Sequence, residues 1–224
     1  MATPARRRTR GRPVQHAHPE AREALLDAAV ALFAEKGVAA TTTAEIAARA
    51  GVTPALVHYY FRPREQLLEA VVDERLSRFV AYALRKLPGP SASLEELVDA
   101  LVDGVFDAAQ RMPWMPPIWI RDVVSGGGLL RDRMLRHLPV QMIGALIEHL
   151  ARGRRRGEIT ADIEPGFAFL SLAGATLFPL ATRPLWKKFP GGAKLSTAQL
   201  RRHAHAVLRH GLTGTINAPK RTPR

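Results

Sequence analysis

The 224 residues contain no cysteine, which removes disulfides, thiolate nucleophiles and cysteine-based zinc sites. No apolar run approaches the roughly 18 residues that a membrane span requires. The Arg-rich start is followed by no apolar segment, so it does not read as a secretory signal. A Gly-rich phosphate loop, a metal-ligand cluster and a nucleophile motif are also missing, and no enzyme class finds its residues here. His137, His149, His203 and His205 are scattered, with no carboxylate placed by the local sequence to complete a metal site. These absences point to a soluble, cytoplasmic, non-enzymatic protein with no metal or other cofactor of its own.

What the chain does have is positive charge and enough apolar residues for a core. Lys and Arg number 33 against 20 Asp and Glu, for a formal charge of +13, and 46% of residues are hydrophobic. The length fits a small domain followed by a medium one. A basic balance favours polyanion partners, although basic surface alone is nonspecific. Its distribution says more. Arg6, Arg7, Arg8, Arg10 and Arg12 all precede the first acid, Glu20, whereas the two signs cancel from Glu20 to Lys86. Residues 1–18 have little to bury and read as a disordered basic arm. Such an arm is either a solvated tail or a strand lying along phosphates or in the minor groove of DNA. On the second reading, removing residues 1–18 lowers the slope of log K against log salt by about 2–5 units. An unchanged slope in the truncated protein rules that reading out.

The stretch 42–61, TTAEIAARAGVTPALVHYYF, reads as two short helices around a tight turn. Thr42 and Glu45 have capping-box spacing, with Thr43 as an alternative cap. Ile46, Ala47 and Ala50 share a face. Gly51 ends the first helix in the left-handed conformation that glycine adopts cheaply. Thr53 is placed to cap the second helix and Pro54 suits its first position. Leu56, Val57 and Phe61 can bury against the first helix, leaving Ala55, His58 and Tyr59 to face outward. Short helix, glycine turn and short capped helix is the helix-turn-helix pattern, whose second helix enters the major groove of DNA.

The flanks sharpen the pattern. Leu32-Phe33-Ala34-Glu35-Lys36-Gly37 precedes it, and Phe61-Arg62-Pro63-Arg64-Glu65-Gln66-Leu67 follows directly. From about Arg22 to Val72 the chain closely resembles the DNA-binding domain of TetR-family transcriptional regulators. The resemblance implies an all-α fold of about nine helices: a three-helix DNA-binding domain over 19–86, then a helical ligand-binding and dimerisation domain over 87–214. It implies phosphate contacts from Thr43 or Thr42 and from Arg64, with Ala44 standing where some relatives read a base. Thr53 occupies the family's Ser/Thr position. Pro54 and Ala55 replace a polar residue and glycine, and His58 replaces the usual phosphate-contacting tyrosine, with Tyr59 following it. The recognition helix carries no Arg, Asn or Gln for bidentate base pairing. Readout is therefore expected to lean on contacts from Pro54 and Ala55 to thymine methyls, plus Thr53 and Tyr59.

Elsewhere the periodicity predicts a first helix from Pro19 to Lys36. A long fourth helix from Pro63 to Arg85 is expected to bury Leu67, Leu68, Val71, Val72, Leu76 and Phe79 and to run on into the next domain. Leu87-Pro88-Gly89-Pro90-Ser91 breaks the chain. Further helices are expected over 94–111, 117–125, 129–152 (with Pro139 as a kink point), 164–182 and 196–212. The last is expected to face inward with Leu200, Ala204, Val207, Leu208 and Gly211. Residues 215–224 read as a disordered tail. Asp99, Asp103 and Arg131-Asp132-Arg133 read as ordinary helix-surface charges.

The helix at 164–182 is apolar all round and must be covered on more than one side. The resemblance implies a homodimer built from 164–182 and 196–212, acting on a pseudopalindromic operator. It also implies a pocket for a small apolar effector, for which Phe106, Trp114, Met115, Trp119, Met134, Met142, Phe169 and Phe178 are the candidate lining. A ligand-responsive repressor is the favoured reading. An enzyme and a general nucleic-acid coating protein are the alternatives.

Overall fold

A computed structural model describes residues 19–125 and 128–213. The expectations for the arm at 1–18 and the tail at 215–224 lie outside the described residues. Among the described residues there is no strand, and no helix is long and apolar enough to cross a membrane.

Helix α1 (Pro19–Lys36) buries Leu25, Leu26, Ala29, Leu32 and Phe33, the expected stripe. It ends at Gly37, whose φ of +90° belongs to the left-handed region. Two short helices, α2 (Thr43–Arg49) and α3 (Pro54–Tyr60), pack on it and on each other. The long fourth helix is present as α4 (Arg64–Val71), a π-helical turn (Val72–Leu76) and α5 (Ser77–Leu84) in direct succession. All the apolar side chains expected to be buried along it are buried. The π turn inserts an extra residue and resets the phase of the stripe, which local periodicity does not reveal. Within it Arg75 is 6% exposed. A buried guanidinium needs partners, and α1 supplies them: Asp27 Oδ1 and Glu23 Oε2, each at 2.8 Å. Arg22 of α1 donates to Glu74 at 2.7 Å. These crossed pairs clamp the rod to α1.

The second domain opens with α6 (Leu94–Arg111), started by the expected reciprocal cap between Ser93 and Glu96. It continues through α7 (Met115–Ile118) and a second π-helical turn (Trp119–Val124). In place of a single helix over 129–152 there are two, α8 (Arg131–His137) and α9 (Val140–Arg155). The break falls at Leu138, whose ψ of 134° is extended, as the ring of Pro139 demands of the residue before it. Then come α10 (Pro165–Ala181), α11 (Arg183–Trp186), a 3₁₀ turn (Gly192–Lys194) and α12 (Thr197–Thr213). On α12 the buried positions are Ala204, Leu208 and Leu212. Val207 and Gly211, expected inside, are exposed, because Leu212 rather than Gly211 completes the inward face.

Asp99 and Asp103, ordinary surface charges on sequence grounds, instead hold α12. Along α6 Asp99, Asp103 and Asp107 recur every fourth residue, and they meet Arg209, His205 and Arg201 of the antiparallel α12. Arg209 Nε donates to Asp99 at 2.7 Å, His205 Nε2 lies 2.9 Å from Asp103, and Arg201 pairs with Asp107. Burial alone would raise the Asp99 pKa, but hydrogen bonds from Arg209 and His205 outweigh it and the carboxyl is held below its usual value. Arg131 and Arg133 are engaged as well. Arg131 donates to the carbonyls of Val123 and Val124 at 3.0 and 2.9 Å, and Arg133 to Glu69 at 3.0 Å. The core around α1–α5 takes in Met115, Ile118, Leu130 and Met134, while a second core joins α6, α9, α10 and α12.

Candidate nucleic-acid interface

The start of α2 is capped by Thr42, not Thr43. Its hydroxyl accepts from Glu45 N at 3.2 Å while Glu45 Oε2 accepts from Thr42 N at 2.9 Å. Lys36 Nζ adds a contact at 2.5 Å to the other carboxylate oxygen of Glu45. Lys36, followed by the Thr42 amide and hydroxyl, holds the Glu45 carboxyl at about 2, down from 4.5. A carboxyl whose folded-state pKa is depressed favours the fold above its unfolded value and loses that contribution as pH falls through the folded one. Glu45 therefore contributes above 4.5 and loses its contribution as pH drops toward about 2. The Glu45→Gln variant should show a smaller loss of Tm across that window than the parent, and identical acid profiles would refute the assignment.

The turn into α3 needs a residue at φ +69°, which Gly51 supplies. Val52 N donates back to Ala47 O at 3.0 Å, closing the end of α2. Thr53 stands at the N-cap of α3 with Pro54 inside the first turn, but its hydroxyl makes no capping bond. Thr53 thus caps with its backbone, its carbonyl accepting from Leu56 N at 3.0 Å, while Pro54 suits the first helical position because it has no N–H to leave unpaired. Val57 and Phe61 are buried and Leu56 is half-buried. Thr53, Pro54, Ala55, His58 and Tyr59 are all exposed. Ala55, His58 and Tyr59 fall at helical spacing on one face, and Tyr60 meets the Tyr59 ring edge-on at 5.1 Å. Among the described residues no side-chain hydrogen bond engages Thr53, His58 or Tyr59. At the start of α2, Ala44 is exposed and Thr43 half-buried. Arg64 is half-buried and spends one amino group on Val38 O at 2.7 Å, tying α4 to the α1–α2 turn. Glu35 with Arg49, and Glu45 with Lys36, neutralise one another on the surface. The exposed α3 face is therefore small, carries no Lys, Arg, Asp or Glu, and keeps the side-chain polar groups of Thr53, His58 and Tyr59 unspent.

Behind this module lies a cavity of about 720 Å³, walled by α5, α6, the Trp119–Val124 turn and α10. Of the side chains expected to line a pocket, Trp119, Phe169 and Phe178 line this cavity, and Phe106 borders a separate hollow with Pro113, Pro116 and Arg201. Met115 and Met134 are buried in the first core with Trp114 packed beside them, Phe106 belongs to the second core, and Met142 is 41% exposed. Most of the wall is aliphatic, from Val80 and Leu101 to Ile143 and Leu172. Such residues carry no sequence signal that separates pocket from plain core.

Two residues that sequence reasoning passed over join this cavity to the helix-turn-helix. Arg121 donates to Ala34 O at 2.9 Å and also to Phe33 O, covering the last carbonyls of α1. Asp122, 6% exposed, accepts from Val38 N at 3.2 Å. Their neighbours Trp119, Ile120 and Val124 in the same π turn form cavity wall.

Two of the four scattered histidines, His137 and His205, acquire carboxylates that local sequence does not reveal. His137 Nε2 lies 2.7 Å from Asp73 Oδ1, and His205 sits between Asp99 and Asp103. Glu69, Asp73 and His137 are close enough to share an ion. Glu69 is already neutralised by Arg133 and Arg136 at 3.0 and 2.9 Å, so the cluster reads as an ion-pair tie between α8 and the α4 rod.

Residues 25–71 match the family described as bacterial regulatory proteins, tetR family, and residues 95–209 match the tetracyclin repressor-like C-terminal domain. The chain is similar to the HTH-type transcriptional regulator BetI of Rhizobium meliloti, with 31% identity over 202 residues, covering 90% of this chain and 96% of that one. Among solved structures, the ketosteroid transcriptional regulator KstR2 of Mycobacterium tuberculosis superposes with a TM-score of 0.65 at 20% identity, covering 90% and 99% of the two chains. AibR, solved with isovaleryl coenzyme A and operator DNA, gives 0.63 at 19% identity, covering 87% and 98%.

Proposed function

The chain belongs to the TetR family of DNA-binding transcriptional regulators, and from that premise we propose that it is a cytoplasmic, ligand-responsive repressor that binds a pseudopalindromic operator as a homodimer. The observation that carries the reading is the outward face of α3, where Thr53, His58 and Tyr59 are exposed and spend no side-chain hydrogen bond within the described residues. That face suits contact with base edges and phosphates, Pro54 and Ala55 adding apolar contact to thymine methyls.

One short recognition helix reads few base pairs, so useful specificity calls for two, about 34–36 Å apart. The second copy has a surface to use. Phe167, Leu170, Gly174 and Phe178 recur along the exposed side of α10, and Val207 stands exposed on α12. This agrees with dimerisation through 164–182 and 196–212.

The cavity supports an effector site in the second domain. Two connections lead from it to the DNA-facing helices. One is the continuous rod from α5 through the π turn to α4. The other is the Trp119–Val124 turn, which faces the cavity with Trp119, Ile120 and Val124 and grips the end of α1 with Arg121 and Asp122. A ligand that favours one setting of these elements shifts operator affinity by about 5- to 150-fold, for a coupling of 1–3 kcal/mol. AibR, crystallised with both a coenzyme A thioester and operator DNA, is a relative in fold for which both classes of partner are known.

A gel-shift titration against random DNA, competed with a selected site, tests the reading. A regulator should prefer its site by about 10³-fold or more. Equal affinity for all duplexes would favour a coating protein instead.

A further inference from the structure

The lining of the cavity specifies the chemistry of its occupant. Among the described residues that line it, none is ionisable. Its side-chain polar groups are the Thr176 hydroxyl and the Trp119 indole N–H. Thr176 is 2% exposed and already donates to Leu172 O at 2.9 Å and Ala173 O at 3.1 Å. That leaves one N–H, enough for a single neutral oxygen and far too little for an ion. The volume, about 720 Å³, lies in the range that encloses a drug-sized molecule. The lining residues left exposed are Leu170, Gly174 and Phe178 of α10 and Val124 of the π turn. A charged head group leaving along α10 meets the apolar face that a second subunit is proposed to cover, so on that side it finds neither a counter-ion nor water.

We propose that the effector of this protein is an uncharged, largely hydrocarbon molecule with at most one hydroxyl or carbonyl oxygen, held between α5, α6, the Trp119–Val124 turn and α10. This rests on the reading of the cavity as the effector site of a dimeric regulator. It sets the protein apart from a receptor for thioesters of coenzyme A, whose phosphates need cations, and from a receptor for quaternary ammonium ions paired with a carboxylate. The four aromatic rings Phe79, Trp119, Phe169 and Phe178 offer cation-attracting faces, but desolvating a cation with no anion beside it is costly.

Two fluorescent probes that differ by one charge decide the matter. N-phenyl-1-naphthylamine is neutral, and 1-anilinonaphthalene-8-sulfonate has the same ring skeleton with a sulfonate. The full-length protein should bind the neutral probe saturably, one per subunit, and about 100-fold or more tightly than the sulfonate. Below their micellar concentrations, 1-dodecanol should displace the neutral probe, while dodecanoate and dodecyltrimethylammonium should be weaker by a similar factor. Ala173→Trp, which fills the cavity from α10, should abolish probe binding with helicity retained. The proposal is overturned if the neutral probe does not bind. It is overturned equally if the sulfonate binds within tenfold of it, if either ion competes as well as the alcohol, or if folded Ala173→Trp binds normally. Site-selective DNA binding on the same preparation separates this from the regulator reading. Neutral-probe binding without a preferred DNA site keeps the ligand class and sinks the regulator. A preferred site with an ionic ligand does the reverse.

Discussion

Placing a carboxylate on each exposed apolar helix face, as Phe167→Asp with Val207→Asp, will leave the protein folded, monomeric and deprived of its operator. Phe167 on α10 is 69% exposed and Val207 on α12 is 49% exposed within one subunit, so the aspartates cost the isolated subunit little. In a dimer both carboxylates would be buried against apolar surface without a partner, which disfavours association by several kcal/mol. Phe167 does not line the cavity, so effector binding is not the cause of any loss. Each monomer keeps its α3 face but reads only half a site. Operator affinity should fall by about 10³-fold, to near the nonspecific level. Sedimentation at matched protomer concentration and a DNA titration read the two effects. A variant that stays dimeric and binds normally would remove α10 and α12 from the interface.

The second large effect concerns stability. Glycine inside a helix ordinarily costs about 1 kcal/mol relative to alanine, so Gly104→Ala at an open position would stabilise. Here a Cβ on Gly104 would sit 1.9 Å from the carbonyl oxygen of Ala83. That oxygen is backbone and cannot swing aside, so α5 and α6 must separate along the wall of the cavity. Overpacking of this kind costs about 1–3 kcal/mol or more, and the sign reverses. Gly104→Ala should lower Tm by about 4–10 °C for a chain of this size. Gly144→Ala on α9, where a Cβ meets nothing within 4 Å, should raise it slightly. Equal shifts for the two variants would mean that α5 and α6 do not approach at Gly104.

The helix-turn-helix was legible because everything that defines it is local. Thr42 with Glu45, Gly51 at positive φ, and Pro54 in the first turn of α3 all act within a few residues of where they stand. The features that stayed hidden depend on what comes near from elsewhere. A π turn at Val72–Leu76 shifts the buried stripe of the rod by one residue, and the stripe reads as helical either way. The ladder between α6 and α12 had a visible signal, since Asp99, Asp103 and Asp107 mirror Arg201, His205 and Arg209 at equal spacing. Neither set calls for the other until the helices are known to run antiparallel. Large side chains drew attention as pocket candidates, yet helical phase sent Met115 and Met134 into the core and Met142 to the surface. The cavity wall is instead made largely of valine, leucine and isoleucine, which look the same whether they face a ligand or one another. Arg121 and Asp122 gave no sign that they cross to the end of α1, because their partners there are backbone groups.

Selection of bound sites from a pool of random duplexes with the purified full-length protein bears most directly on the claim that two α3 faces read DNA together. An inverted repeat should emerge, its half-sites one helical turn or a multiple of it apart, about 10–10.5 base pairs centre to centre for a single turn, with thymines in the half-site core opposite Pro54 and Ala55. A pool that gains no motif, or converges on a single unrepeated element with no thymine in it, would contradict the account.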